Sequence, residues 1–341
     1  MNSAQHQYVD RATGVVVEER LLADRWIQAL YSPLLENAAW LSRATSSRYT
    51  SKLLGYLNYD NLLSSRITGM RRFLHANGVK TDELLAPPEE LDTPRKIFER
   101  KIRYWKCRPL PRVERCVVCP ADARLMVGSM NEQSGLFIKN KFFEFAELLG
   151  PDNRGWRRVF SGGDFSVLRL TPEKYHYTHV PVTGRVADFY SVSGRYHSCN
   201  PNATVQLLNS HSKNRRVVTI FDTDCEGGTG VGSVAMIEVV ALMVGRIEQL
   251  YSEHAYDNPQ PVKKGMMLRS GAPKALFRPG SSTVVLLFQP GRIRFAEDLV
   301  RNQTRASVCS RYSAVLGSPL CETDVKLRSL LAHATGGAAH G

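Results

Sequence analysis

The 341-residue sequence has no apolar run long enough to cross a bilayer as a helix. Its longest apolar stretch, Val231 to Ile247, is broken by Glu238 and Arg246, whereas a span needs about 20 apolar residues. The first twenty residues carry no apolar core of a secretory leader, so none is expected. Paired cysteines are lacking too: seven, at irregular spacing, exclude a disulfide framework and fit a reducing compartment. Cys116 and Cys119 make a lone CxxC without a second pair at zinc-ribbon spacing, and Val117 and Val118 between them predict a strand with core or edge thiols. The glycine-rich Gly227 to Gly230 has no following Lys-Ser/Thr and is a turn rather than a phosphate loop. No helix-turn-helix, zinc-finger or RNP pattern and no internal repeat is present.

Acid is scarce relative to base. Forty-five Lys and Arg against 32 Asp and Glu give a net charge of +13, which suits a polyanionic partner or an anionic surface. The densest basic run, Pro94 to Arg115, holds nine Lys/Arg against two Glu with Phe98, Tyr104 and Trp105 interleaved, and it fits either a solvated face or a polyanion contact. Residues 1 to about 17 are polar and expected to be loose. From Glu18 the spacing of Leu22, Trp26, Ile27 and Leu30 predicts an amphipathic helix, interrupted or restarted at Pro33. Arg43, Arg48, Lys52, Arg66, Arg71 and Arg72 follow, with Asp60 the only acid among them. Such helices can lie in a headgroup layer or pack on the protein's own core. Glu83 to Pro94, with Pro87-Pro88 and clustered acids, reads as a linker. Beyond it the chain is strand-rich apart from a helix signal near Phe142 to Leu149, and Ala332 to Gly341 is small and polar, expected to be disordered.

The richest stretch is Phe277 to Leu299. A Pro279-Gly280 turn leads into Ser281 and Ser282, then into the β-branched and apolar run Thr283 to Phe288, then a turn at Pro290-Gly291. Taken alone, this is a β-hairpin with polar turn residues. A second stretch carries His176 and His179 in Tyr175-His176-Tyr177-Thr178-His179. An HxxH is half a metal site, but no further ligand stands at a telling spacing. A third has Asp122 in Cys119-Pro120-Ala121-Asp122-Ala123-Arg124, where an Asp ahead of a strand commonly caps a turn.

Together and in this order, the three stretches resemble the phosphatidylserine decarboxylases, pyruvoyl enzymes that cleave their own chain. Ile97 to Pro109 resembles that family's entry motif, Cys119 to Arg124 its Pro-x-Asp-Gly segment, and Tyr175 to Gly184 its DYHRxHxPxxG. Gly194 to Pro201 resembles its GxxxSVNP. Lys174 and Ala123 depart from the pattern, and Ser281 stands where the family usually has the glycine before the scissile bond. The resemblance implies an α+β fold, with N-terminal amphipathic helices (1–92), a β-rich catalytic domain (93–315, cleaved near 281/282) and a C-terminal tail (316–341).

It also implies roles. Asp122, His179 and Ser282 form the self-cleavage triad, Ser282 becomes the pyruvoyl cofactor, His176 assists decarboxylation or protonation, and Ser198 and Asn200 line the substrate pocket. The shifted register, with Gly280-Ser281 as the broken bond, stays open. The implied reaction converts phosphatidylserine to phosphatidylethanolamine through a Schiff base. The implied partners are phosphatidylserine in an anionic membrane and the chain's own cleaved α and β pieces, with neither nucleic acid nor metal; a homodimer is left open. The implied location is peripheral, on the cytoplasmic face of a membrane. Two alternatives stand beside it: a pyruvoyl decarboxylase of a soluble amino acid, and an uncleaved, non-catalytic lipid-binding relative.

Overall fold

The structure, a computed structural model, describes residues 6–19, 79–134, 144–194, 214–240, 246–280, 282–316 and 318–335. In chain order the strands are β1 (Gln7–Asp10), β2 (Val16–Glu18), β3 (Cys116–Val118), β4 (Ala123–Ser129), β5 (Asp164–Leu170), β6 (Tyr177–His179), β7 (Gly184–Val192) and β8 (Arg216–Asp222). They continue with β9 (Ser233–Val240), β10 (Ile247–Gln249), β11 (Met267–Leu268), β12 (Pro273–Phe277), β13 (Ser282–Phe288), β14 (Ile293–Phe295), β15 (Glu322–Val325) and β16 (Leu330–Ala334). The described helices are short: α1 (Pro94–Phe98), α2 (Tyr104–Cys107), α3 (Phe145–Leu148), α4 (Arg154–Phe160), α5 (Glu297–Gln303) and α6 (Arg311–Leu316).

Strand β13 is the centre. Its run of Thr, Val and Leu favours extended backbone, and all seven residues are buried because both faces are covered. It pairs antiparallel with β5 on one side and β9 on the other within a ten-stranded sheet of order β11-β7-β8-β9-β13-β5-β4-β15-β1-β2. Alternation splits its side chains. Val285 and Leu287 join one core with Leu148 of α3 and Phe160 of α4, whereas Val284, Leu286 and Phe288 join another with Phe98, Val180 and Phe277. That second face carries two smaller sheets, β10-β12-β6 and β14-β16-β3. Each buried Val or Leu contributes about 1.5–3 kcal/mol, so this strand is held from both sides.

The β-rich α+β class agrees with the sequence, while the helices expected after Glu18 fall largely on 20–78, outside the described residues. Three local expectations are corrected. Residues 6–19 are not loose: β1 pairs in parallel with β15, and Arg169 ties the hairpin in by holding both Glu19 and Glu322 at 2.6 Å. The segment from Glu83 to Pro94 is not a free linker, because Leu84 and Leu91, each at the end of a short 3-10 turn, are buried with Val79 and Ile97. Residues 322–334, grouped by sequence with a tail, form β15 and β16; Ala332 itself is buried in the core.

Candidate active site

Asp122 enters β4 from a loop whose backbone runs beside β6: the His179 N–H donates to the Pro120 carbonyl at 2.8 Å, and the Val118 N–H to the Pro181 carbonyl at 3.0 Å. The Asp122 carboxylate is buried and fully engaged. Arg108 donates to it from Nε at 3.0 Å and Nη2 at 2.8 Å, and the Leu327 N–H donates at 2.7 Å. Burial alone raises its pKa, but the Arg108 hydrogen bond and charge outweigh that and hold it below the usual carboxylate range. Arg108 also donates to Glu83 at 3.0 and 2.9 Å.

His179 ends β6, opposite Pro273 of β12, and is fully buried. Its Nδ1 lies 2.9 Å from the Gly271 carbonyl and its Nε2 lies 3.1 Å from the Tyr175 hydroxyl. A carbonyl only accepts, so Nδ1 carries the proton and Nε2 keeps its lone pair. Burial pushes the imidazole down to about 3, with Arg328 adding to the shift and the Gly271 hydrogen bond opposing it. This is a neutral base with a fixed tautomer. The group fixing it is the Gly271 carbonyl; no hydrogen bond joins Asp122 to His179 among the described residues. Tyr175 in turn lies 2.7 Å from the Tyr256 hydroxyl, which reaches the Ile102 carbonyl at 2.8 Å.

His176 is buried and stacked on Phe98 with ring centroids 3.4 Å apart, and neither ring nitrogen has a hydrogen-bond partner among the described residues. Burial first, and Arg100 second, push its pKa well below the ordinary histidine value. Its carbonyl accepts from the Phe277 N–H at 3.1 Å, which sets it beside the end of β12, where the chain turns toward β13.

Ser282 opens β13, paired to Leu170 and to Val240, 1% exposed, with an Oγ that finds no partner among the described residues. Its position in the alternation puts it on the face shared by Val284 and Leu286, the face that packs on the histidine-bearing sheet. Ahead of it Gly280 has φ of 148°, a conformation that L side chains rarely adopt. Ser282 thus lies on the face of the large sheet that packs on the sheet carrying His179, and no hydrogen bond joins any two of Asp122, His176, His179 and Ser282. Ser281, Ser198 and Asn200 lie outside the described residues.

A cavity of about 340 Å³ opens behind Asp122, lined among others by Arg100, Arg108, Lys174, Tyr175 and Lys326; neither histidine nor Ser282 lines it. The sequence did not single out Tyr175, Arg108 or Gly271 for a role, although Tyr175 and Arg108 sit inside the motifs. Nor did it foresee the ion pair between Glu238 of β9 and Lys274 of β12, 2.6 Å apart with both side chains wholly buried. A pairing drawn from two different strands has no local signature.

The sequence model of the phosphatidylserine decarboxylase family matches residues 95–313. A phosphatidylserine decarboxylase proenzyme of Chlamydia trachomatis is 31% identical over 316 residues, covering 88% of this chain and 92% of the relative. The corresponding proenzyme of Bordetella petrii is 32% identical over 239 residues, 66% of this chain and 79% of the relative. Phosphatidylserine decarboxylase proenzyme 2 of Oryza sativa is 32% identical over 237 residues, covering 68% of this chain and 35% of the longer plant protein.

Proposed function

The chain belongs to the phosphatidylserine decarboxylase family, and from that premise we propose that it cuts itself before Ser282 and then decarboxylates phosphatidylserine to phosphatidylethanolamine. The observation that carries the assignment of Ser282 is its buried Oγ, without a partner among the described residues, at the head of β13 on the face that packs on the histidine-bearing sheet. A hydroxyl stripped of water without a hydrogen bond is destabilised by about 1–3 kcal/mol. Such an atom suits a nucleophile awaiting use better than a structural serine.

In this reading His179 Nε2 takes the Ser282 hydroxyl proton, releasing its contact with Tyr175 as it does so. Oγ attacks the carbonyl carbon of residue 281, and the peptide bond becomes an ester as the nitrogen of residue 282 leaves with a proton. Removal of the Ser282 α-proton expels the residue-281 carboxylate, and hydrolysis of the resulting dehydroalanine releases ammonia. Asp122 acts on the imidazolium through its charge, from a carboxylate locked by Arg108. Gly280 supplies a backbone conformation that relaxes when the chain opens. The strands on both sides of the break stay paired to neighbours in the sheets, so both pieces remain in one fold. The chemistry a pyruvoyl group supplies is an electron sink for loss of carbon dioxide from a bound amine. His176, neutral and next to the turn that leads to β13, is placed to hold or deliver the proton that replaces the carboxylate; Ser198 and Asn200 are assigned to the substrate pocket from the motif they occupy.

A lipid substrate calls for a peripheral attachment to an anionic membrane, which we assign to the cytoplasmic face. The net charge of +13 supports it, and no described helix is long and apolar enough to cross a bilayer. The deciding experiment is the intact mass of denatured protein, with and without borohydride and substrate. Two fragments parting at 281/282, the shorter one fixing the substrate amine, are expected. A break after Gly280 moves the cofactor to Ser281, and a single uncleaved chain refutes the enzyme reading in favour of a non-catalytic lipid-binding relative.

A further inference from the structure

The basic run after α1 holds most of the exposed apolar side chains. Among the described residues the exposed large hydrophobics are Leu85 (42%), Trp105 (41%), Leu110 (41%), Val113 (39%) and, elsewhere, Val15. The first three form one surface through shared neighbours. The Leu85 N–H donates to the Lys101 carbonyl at 3.0 Å, and Lys101 Nζ lies over the Tyr256 ring, which meets Trp105 with centroids 6.5 Å apart. Trp105 packs edge-on against Tyr104, and Arg328 lies over that same Tyr104 ring. Leu110 and Arg328 both press on Gly271, where an added Cβ would stand 2.8 and 3.0 Å from them.

The charges on this surface are unspent. Among the other cations of the run, Arg95 and Lys96 pair with acids one turn away, and Arg108 is locked to Asp122 and Glu83. Lys101 and Lys106 are exposed and have no carboxylate partner among the described residues. Arg328 is held over the Tyr104 ring, and its buried Nε and Nη1 have no hydrogen-bond acceptor among the described residues. Exposed lysines without a carboxylate, beside exposed Trp and Leu, make a receptor for anionic headgroup oxygens at an apolar boundary. Tyr104, which carries Arg328 on its ring, also meets His179 at 4.7 Å, and Gly271 accepts from that histidine. The surface therefore lies directly over the residues that hold the base.

We propose that Leu85, Lys101, Trp105, Lys106 and Leu110 form the face that docks on an anionic bilayer, with the apolar side chains entering the headgroup layer and the two lysines meeting lipid phosphates. This rests on the reading of the substrate as a membrane lipid, and it names the surface that meets the membrane.

The test is sedimentation of the full-length protein with phosphatidylcholine vesicles, with and without phosphatidylglycerol. Wild type is compared with Trp105→Ser, with Lys101→Ala/Lys106→Ala, and with Lys106→Glu alone. Each lost cation weakens binding to anionic vesicles about fivefold, so the double variant loses about 25-fold. Trp105→Ser weakens it about tenfold. Chain cleavage serves as the folding control, since none of these side chains takes part in it; if one variant fails to cleave, Lys106→Glu at an exposed position remains. Variants that sediment like wild type overturn the docking face, as does tight salt-dependent binding to duplex DNA with none to vesicles. A wild type that sediments but neither cleaves nor fixes substrate leaves the docking face standing and refutes the enzyme reading instead.

Discussion

Lys274→Met tests the energetics of the site's frame. Lys274 Nζ donates to Glu238 Oε2 at 2.6 Å and to Gln249 Oε1 at 2.9 Å; Glu238 also accepts from Thr178 at 2.6 Å and from Gln249 at 3.1 Å. These four residues come from β12, β9, β6 and β10, so the network joins the histidine-bearing sheet to the strand that flanks β13. Both ions are wholly buried. Removing the lysine strands a carboxylate in the core, a loss of about 3–5 kcal/mol. That is a large share of the roughly 5–15 kcal/mol that holds a typical domain. Removing both ions, in Lys274→Met/Glu238→Leu, leaves apolar side chains of similar volume and orphans only Thr178 and Gln249, about 1 kcal/mol each. The double variant is thus expected to be more stable than either single one, with a coupling of at least about 2 kcal/mol in a double-mutant cycle. Urea denaturation in a Ser282→Ala background keeps the chain in one piece and the transition interpretable. A single Lys274→Met within about 1 kcal/mol of its parent would show that water reaches the pair and would refute this account.

What could be read in the sequence follows from how local the signal is. Strand β13 was legible because its β-branched run and bounding turns are contiguous, and the order of the Asp122, His179 and Ser282 stretches was legible because each carries a compact motif. The hairpin of β1 and β2 was not. Four residues of alternation in Gln7–Asp10 are too few to announce a strand, and its partner β15 pairs Tyr8 with Glu322 from the other end of the chain. Pro87-Pro88 and the acids around them have linker composition, but burial there is decided by two leucines that composition does not weigh. The hydrogen-bond partners of His179 were not legible either. Motif logic gives the imidazole to Asp122, yet the Gly271 carbonyl holds Nδ1 while Arg108 claims the carboxylate. Such competition among donors is a property of the assembled fold alone.

Three further outcomes are expected. Gly280→Ala puts a Cβ on a residue with φ of 148°, a strain of about 1–3 kcal/mol, and cleavage followed by gel should slow by about tenfold or more; an unchanged rate would remove the glycine from the mechanism. Tyr175→Phe takes the hydroxyl from His179 Nε2 and from Tyr256, lowering stability by about 1–3 kcal/mol in denaturation while cleavage persists; a folded protein that fails to cleave would make Tyr175 the proton carrier. Acid should weaken the fold through both histidines. His179 and His176 are neutral in the folded protein, their pKa values driven down by burial, to about 3 for His179. The unfolded chain binds protons at these residues once the pH drops below about 6.5, while the folded one does not. Below that value the unfolded state therefore holds the extra protons, and stability falls by about 1.4 kcal/mol per pH unit for each histidine that stays neutral in the fold, down to about pH 3 for His179. Asp122, whose folded pKa is depressed, adds a loss of the same sign only at lower pH, as the solution passes below the ordinary carboxylate value toward its own. Denaturation midpoints of Ser282→Ala should thus drop between about pH 7 and pH 5, and His179→Gln should flatten that slope by about one histidine's worth. A midpoint that holds steady over that range would mean that the imidazoles take up protons inside the fold, and His179 would then be no standing base for Ser282.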